Sequence, residues 1–240
     1  MLFTKRWMKI AVIVIAAVIA ISFIIATAAS ASPLSKPATS SLHIMQATAK
    51  SRFVTMLNAL SVDNNPYSHG GYKRSYFKLW VDADGDGCNT RAEVLMSESS
   101  RSTTHSGTCT IKTGKWWSAY DNSIITTASK LDIDHFVPLS EAWKSGAYKW
   151  SSSRREAFAN DLGYSLSLIA VSGTTNRSKG DLDPNYWLPP NHGYWCTYAA
   201  TWISVKYRWY LSVDSAEKAA LRGLIATCGK TVNVPVPGRT

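Results

Sequence analysis

The stretch DIDHFVPL, Asp132 to Leu139, sets two carboxylates and an imidazole directly before an apolar run. A carboxylate is a hard oxygen ligand that suits Mg²⁺ or Mn²⁺. A neutral histidine is a good general base near pH 7. Asp134 and His135 therefore have the chemistry to hold a divalent metal and to activate water. Adjacent strand residues point to opposite faces, so both can serve one phosphate only where the strand bends or ends. Pro138 gives a reason for such an irregularity, because the residue before a proline is biased toward extended backbone. Alone, an Asp-His pair is more often a hydrogen-bonded structural pair, so the rest of the chain must decide.

Downstream, SLSLIAVSGTTNRSKGD (Ser165–Asp181) reads as a strand, a turn and a helix start near Asn176. Asn176 can offer its side-chain oxygen to the same metal. Arg177 and Lys179 add positive charge for a phosphate. A strand carrying Asp-His, a second strand and a helix carrying Asn make a ββα arrangement.

Five stretches then carry a resemblance: WVDADGDGCNTRAEVL, DIDHFVPLSEAWKSGA, REAFANDL, LIAVSGTTNRSKGDLDP and WLPP. In this order, within roughly Trp80–Trp209, the chain resembles secreted bacterial HNH-type endonucleases of the branch whose motif opens with Asp-His. The resemblance implies an α+β fold with a ββα-metal core, flanking helices and a small antiparallel sheet. It implies that Asp134 is a metal ligand, His135 the general base and Asn176 the second protein ligand. It also sets Arg91 beside the site, able to contact the scissile phosphate by a charge-assisted pair. One position departs from the pattern. The middle Asn of the HNH name corresponds to Ser167, whose shorter side chain either uses its hydroxyl to orient the base or leaves that role to a backbone carbonyl.

A second acidic group lies upstream. Asp82, Asp84, Asp86, Gly87 and Glu93 match the D-x-D-x-D-G-x₅-E spacing of a calcium loop. Asn89 stands where such loops carry an apolar residue, and Tyr76–Val81 before it reads as a strand rather than a helix. Structural Ca²⁺ on Asp82, Asp84, Asp86 and Glu93 competes with an acidic turn held by a disulfide. The four cysteines (Cys88, Cys109, Cys196, Cys228) contain no C-x-x-C pair, which argues against a zinc ribbon. Three pairings are open; Cys88–Cys109 and Cys196–Cys228 are favoured because each brackets one local unit.

The N-terminus has a basic start, an apolar run from Ile10 to Ile25 and small residues of the A-x-A kind. That is an export signal over residues 1–31, cleaved after Ala28 or Ala31, with an uncleaved membrane anchor as the alternative. Loss of Lys5, Arg6 and Lys9 takes the net charge from +10 to +7. A secreted basic protein with no stable membrane association favours anionic partners such as nucleic acid. Residues 32–43 read as a spacer and 44–240 as one nuclease domain, its core motif at about 130–190.

Further elements follow from periodicity and caps. A helix is expected near Ile44–Leu60, strands within Thr108–Tyr120 broken at Gly114, and a capping box at Ser153–Glu156. A long helix carries Trp195, Ala199, Trp202 and Trp209, and a last helix starts at Asp214. His43, His69, His105 and His192 lie in turn-like or spacer contexts and read as solvated. The function expected is non-specific, metal-dependent cleavage of DNA, with RNA left open. The rival of another class is a calcium-stabilised cell-envelope module that binds anionic polymers without catalysis. A cell-wall hydrolase finds no pair of carboxylates at suitable spacing.

Overall fold

The computed structural model describes residues 50–229 and 232–240. The expected export signal (1–31) and spacer (32–43) lie outside the described residues. The first described element is helix α1 over 50–59, which buries Phe53, Met56 and Leu57. Two 3₁₀ turns follow, Pro66–His69 and Arg74–Tyr76. The expected strand at Tyr76–Val81 does not form. Its backbone is used otherwise: Val81 accepts from the Thr90 N–H and donates to Asn160 Oδ1.

Helix α2, Thr90–Glu98, opens on Asn89, whose side chain accepts from the Ala92 N–H. This N-cap explains why a polar residue holds that position. Strands β1 (Thr104–Ser106), β2 (Thr110–Ser118) and β3 (Ser123–Thr127) form an antiparallel sheet in that order. The expected break at Gly114 is a bulge inside one strand. The register shifts between Thr113 and Trp116, which lets Ile111 and Trp116, an odd number of residues apart, both turn inward. A Cβ on Gly114 would lie 2.5 Å from the Trp116 ring, so only glycine lets the indole fold back there.

Strand β4 (Leu131–His135) pairs antiparallel with β5 (Leu168–Ser172), placing His135 opposite Leu168. Between them run α3 (Leu139–Lys144) and α4 (Ser152–Ala159). The cap of α4 is Ser151, which accepts from the Arg154 N–H; the Ser153–Glu156 box is not used. Helix α5 (Gly173–Lys179) leaves β5 without a gap, capped by Ser172 on the Thr175 N–H. The strand, strand, helix order expected around Asp134 and Asn176 is therefore present.

Helices α6 (Trp195–Trp209) and α7 (Ser215–Thr227) close the domain, the latter capped by Asp214 on the Glu217 N–H as expected. Nearly the whole length of α6 is buried, as for a helix apolar on most faces. Its Lys206 ammonium is enclosed and bonded to Glu141 Oε1 at 2.8 Å and Glu217 Oε2 at 2.7 Å, tying α3, α6 and α7 together. Residues 232–240 return along the domain. Val234 is buried in the main core, and the Pro235 carbonyl accepts from the Tyr164 hydroxyl. Disulfides join Cys88–Cys109 and Cys196–Cys228, the pairing expected from local bracketing.

Glu98, at the end of α2, accepts from the Ala170 N–H on the free edge of β5 at 2.9 Å. Burial raises its pKa from about 4.5 to about 7, against the opposing effect of that hydrogen bond. Between these values the folded state binds more protons than the unfolded chain, so this group's contribution to stability falls as pH rises from about 4.5 through 7. Urea unfolding at pH 5 and pH 8 is expected to give a larger loss of stability for the parent than for Glu98→Gln. Equal losses would mean that the carboxyl does not titrate differently in the fold.

Candidate active site

The end of β4 opens into a cleft of about 520 Å³. Asp134, His135, Asn176 and Arg177 line it, together with Tyr72 and Arg74 from the turn before Phe77. The strand ends at His135, which is how two adjacent residues reach one cleft. Beyond it the Phe136 N–H still bonds the Ser167 carbonyl at 3.0 Å, before Pro138 starts α3.

His135 is buried, its ring 5.7 Å from that of Trp80 between centroids. Its Nε2 lies 2.9 Å from the Ala159 carbonyl. A carbonyl only accepts, so Nε2 carries the proton and Nδ1 keeps its lone pair. Burial lowers the imidazole pKa to about 4; the Ala159 bond opposes this, while the charges of Arg74 and Lys179 add to it. The ring is neutral at pH 7. The orienting group is thus the carbonyl of Ala159, at the end of α4. Ser167 is occupied elsewhere, its hydroxyl donating to Asp161 Oδ2 at 2.6 Å.

Asp134 Oδ2 accepts from the Tyr120 hydroxyl and from the Lys179 ammonium, each at 2.5 Å. The same ammonium donates to the carbonyls of His135 at 3.1 Å and Phe136 at 3.0 Å. Burial pushes the Asp134 pKa up, and Lys179 and Tyr120 oppose this. Burial likewise pulls Lys179 down, opposed by Asp134. Lys179 was expected at the phosphate, but it is 0% exposed and fully engaged inside. A cation so enclosed serves the fold under the site rather than the substrate.

Asn176 donates through Nδ2 to Asp132 Oδ2 at 3.3 Å. Among the described residues, neither its Oδ1 nor Asp134 Oδ1 receives a hydrogen bond. Both are hard oxygens on residues lining one cleft, a donor set that fits Mg²⁺ or Mn²⁺ and leaves room for other ligands. Arg177, its side chain 70% exposed, makes a loose pair with Asp132 at 3.3 Å. Arg91 departs from expectation. Its Nη2 donates to the carbonyls of Ala128 at 3.1 Å and Leu131 at 2.9 Å, and it does not line the cleft. Burial lowers its pKa and nearby Asp132 opposes the change. Arg91 braces the entry to β4.

The acidic loop forms a separate cluster. Ligand oxygens of Asp82, Asp84 and Asp86 lie within 4.8 Å of one another, and Glu93 approaches Asp86 and Cys88 as closely. Asp82 closes the turn by accepting from the N–H groups of Gly85 and Gly87, whose φ values are +76° and +92°. The Glu93 pKa is raised by burial first, then by the three aspartates. Of the remaining histidines, His43 lies outside the described residues and His105 is exposed. His69 is not solvated as expected: it bonds Asp63 at 2.7 Å and stacks on Tyr148. His192 rests against Trp195.

Sequence reasoning missed Tyr120, Tyr72 and Arg74, and it allowed a backbone carbonyl as the orienting group without placing it at Ala159. A backbone carbonyl leaves no signal in residue type. The run YKRSYF that carries Tyr72 and Arg74 offers basic and aromatic composition but no spacing that distinguishes it from surface.

Comparison with known proteins gives a family and a relative. The model of the C-terminal domain of GmrSD restriction endonucleases matches residues 90–224. An uncharacterized secreted protein of Arthroderma benhamiae is 48% identical over 158 residues, 66% of this chain and 76% of that protein. That relative is fungal, so the expected bacterial source draws no support from it. No solved structure matches.

The buried pair can be tested directly. Lys179→Met leaves Asp134 enclosed without its cation, and loss of one partner of a buried pair costs ~3–5 kcal/mol. Chemical denaturation is expected to register that loss, and Lys179→Met/Asp134→Asn is expected to regain much of it. A single variant as stable as the parent would contradict the enclosed geometry.

Proposed function

Because the chain belongs to the family of the C-terminal domain of GmrSD restriction endonucleases, we propose that its cleft hydrolyses phosphodiester bonds of nucleic acid with His135 as the general base. The observation that carries this reading is the state of the imidazole. Nε2 donates to a carbonyl, so the lone pair is on Nδ1, in a cleft shared with Asp134 and Asn176. The order of β4, β5 and α5 supports an HNH-type ββα core.

In this reading the water oxygen bonds to phosphorus as its proton passes to His135 Nδ1. The bond from phosphorus to the leaving sugar oxygen breaks, and that oxygen takes a proton from solvent. Asp134 and Asn176 would hold the divalent ion, Mg²⁺ or Mn²⁺, which supplies Lewis-acid stabilisation of the phosphate oxygens. The Ala159 carbonyl fixes the ring tautomer. Lys179 and Tyr120 hold one oxygen of Asp134 and leave the other to face the cleft. Arg177 and the overall positive charge give salt-sensitive affinity for the backbone, and no base-reading module is proposed. DNA is the substrate proposed, with RNA as a second arm of the test.

The mature chain acts outside the cell in this reading. The Arthroderma relative is named a secreted protein. Two disulfides suit an oxidising compartment, and none of the described helices is long and apolar enough to cross a membrane. Cleavage of the export signal within residues 1–31 belongs to the same proposal.

Plasmid nicking with and without EDTA tests the reading, since a non-catalytic binding module would retard DNA without cutting it. His135→Ala is expected to lower the rate ~10²–10⁴-fold, the usual contribution of a general base, measured at a temperature where circular dichroism shows the variant folded, since loss of a buried ring bonded to the Ala159 carbonyl also lowers its melting temperature. A folded His135→Ala that cuts at the parental rate would overturn the mechanism. Asp134→Ala and Asn176→Ala are expected to raise the Mg²⁺ concentration needed for half-maximal cleavage.

The mutual approach of the three aspartates favours a second, structural reading for the acidic loop. A cation there would relieve repulsion among Asp82, Asp84, Asp86 and Glu93. Millimolar Ca²⁺ is then expected to raise the melting temperature of the parent, and of Asp84→Ala much less, while folded Asp84→Ala still cleaves. An identical Ca²⁺ response in both would remove calcium from the loop.

A further inference from the structure

Phosphodiester hydrolysis builds negative charge on the non-bridging phosphate oxygens, and a cation in the cleft stabilises it where it forms. Two cations that sequence pattern offered for this role are committed elsewhere. Lys179 is enclosed beneath the site, bonded to Asp134 and two carbonyls. Arg91 spends its Nη2 on two carbonyls at the entry to β4. Among the residues lining the cleft, the cationic side chains are Arg74 and Arg177. Arg177 already has a carboxylate partner, Asp132. Arg74 has none: among the described residues no carboxylate lies within ion-pair distance of it.

The segment that carries Arg74 is held from both sides. Tyr76 stacks on Trp143 with centroids 5.1 Å apart, and the Tyr76 carbonyl accepts from Arg155 Nε at 3.1 Å. Phe77 is buried against Phe158, and Tyr72 leans on Phe77. The 3₁₀ turn Arg74–Tyr76 thus fixes the backbone while the arginine side chain stays exposed at the cleft. The arginine shares the cleft lining with His135, Asp134 and Asn176.

We propose that Arg74 binds the scissile phosphate, its guanidinium donating to a non-bridging oxygen beside the general base, with the Tyr72 hydroxyl at its side. The proposal rests on the nuclease reading above. A guanidinium suits this role because its fixed fork of donors matches two oxygens of one phosphate. An unpaired arginine also approaches the anion without first breaking an ion pair.

The test uses the full chain and two substrates, plasmid DNA and bis(p-nitrophenyl) phosphate, with Mg²⁺ or Mn²⁺ varied. The small diester offers one phosphate and no flanking ones. A residue that binds the scissile phosphate therefore loses rate on both substrates, whereas one that binds the flanking backbone loses rate on DNA alone. Arg74→Ala is expected to lower kcat ~10–100-fold on both, the scale of one charge-assisted hydrogen bond. Its melting temperature and its metal concentration for half-maximal rate should stay parental. Arg74→Lys, which keeps the charge but not the fork, is expected to recover part of the loss and guards against misfolding of the alanine variant. If Arg74→Ala turns over bis(p-nitrophenyl) phosphate at the parental rate while His135→Ala does not, the assignment of Arg74 falls and the nuclease reading stands. If the parent cleaves neither substrate with either metal, the nuclease reading falls and the Arg74 assignment with it.

Discussion

The Lys179 ammonium is withdrawn from water and receives in exchange one carboxylate oxygen and two carbonyls. Desolvating a cation costs several kcal/mol, and only close, well-directed partners offset it. The chain meets that requirement by bringing three segments to one point. The last residue of α5 supplies the cation, the end of β4 supplies Asp134 and the His135 carbonyl, and the segment after β2 supplies the Tyr120 hydroxyl. Asn176 stands three residues before Lys179 on α5, hence on nearly the same helix face. Anchoring Lys179 therefore also sets where Asn176 stands over the cleft. The geometry of the two hard oxygens follows from an ion pair buried away from solvent.

The same pair marks the boundary of what the sequence disclosed. The order of β4, β5 and α5 was legible from a proline after one strand and a short apolar run for the other, but the turn expected before Asn176 is absent: α5 begins at Gly173, directly after β5, because Ser172 caps it. The disulfides were legible because each joins neighbours along the chain. The cap at Asp214 and the helix that carries Asn176 followed from local chemistry. Lys179 escapes such reading because a lysine between serine and glycine looks like surface in any linear pattern, and its burial comes from residues more than forty positions away. At Ser167 the pattern left two outcomes, the hydroxyl or a backbone carbonyl; the imidazole is oriented by a carbonyl, but which one is hidden from residue type because any residue supplies it. Arg91 was near the site in sequence pattern but belongs to a different packing layer, with Ala128 and Leu131. In place of the strand expected at Tyr76–Val81, the backbone of Lys78 and Val81 bonds the side chain of Asn160 and the start of α2.

Asp132 and Asp134 sit two residues apart and meet opposite environments. Asp134 is enclosed, with its cation pressed against it. Asp132 is part-exposed and is shared by Asn176 and Arg177 at hydrogen-bond lengths of 3.3 Å. The two together make an inner anchor and an outer one for α5. The acidic loop differs from both, since its carboxylates face one another in solvent and are ordered mainly by the backbone amides of the turn and by Cys88–Cys109.

The returning segment 232–240 has a consequence for how the molecule is made. Val234 fills the core, and its carbonyl accepts from Arg52 of α1, a partner 182 residues away. The core around α1 is therefore incomplete until the residues beyond 231 have been synthesised. A growing chain can pair β1 to β3 through contacts close along the sequence, but it cannot seal α1 in place. Contacts so distant along the chain must close a long loop before they return any stabilisation, which slows folding.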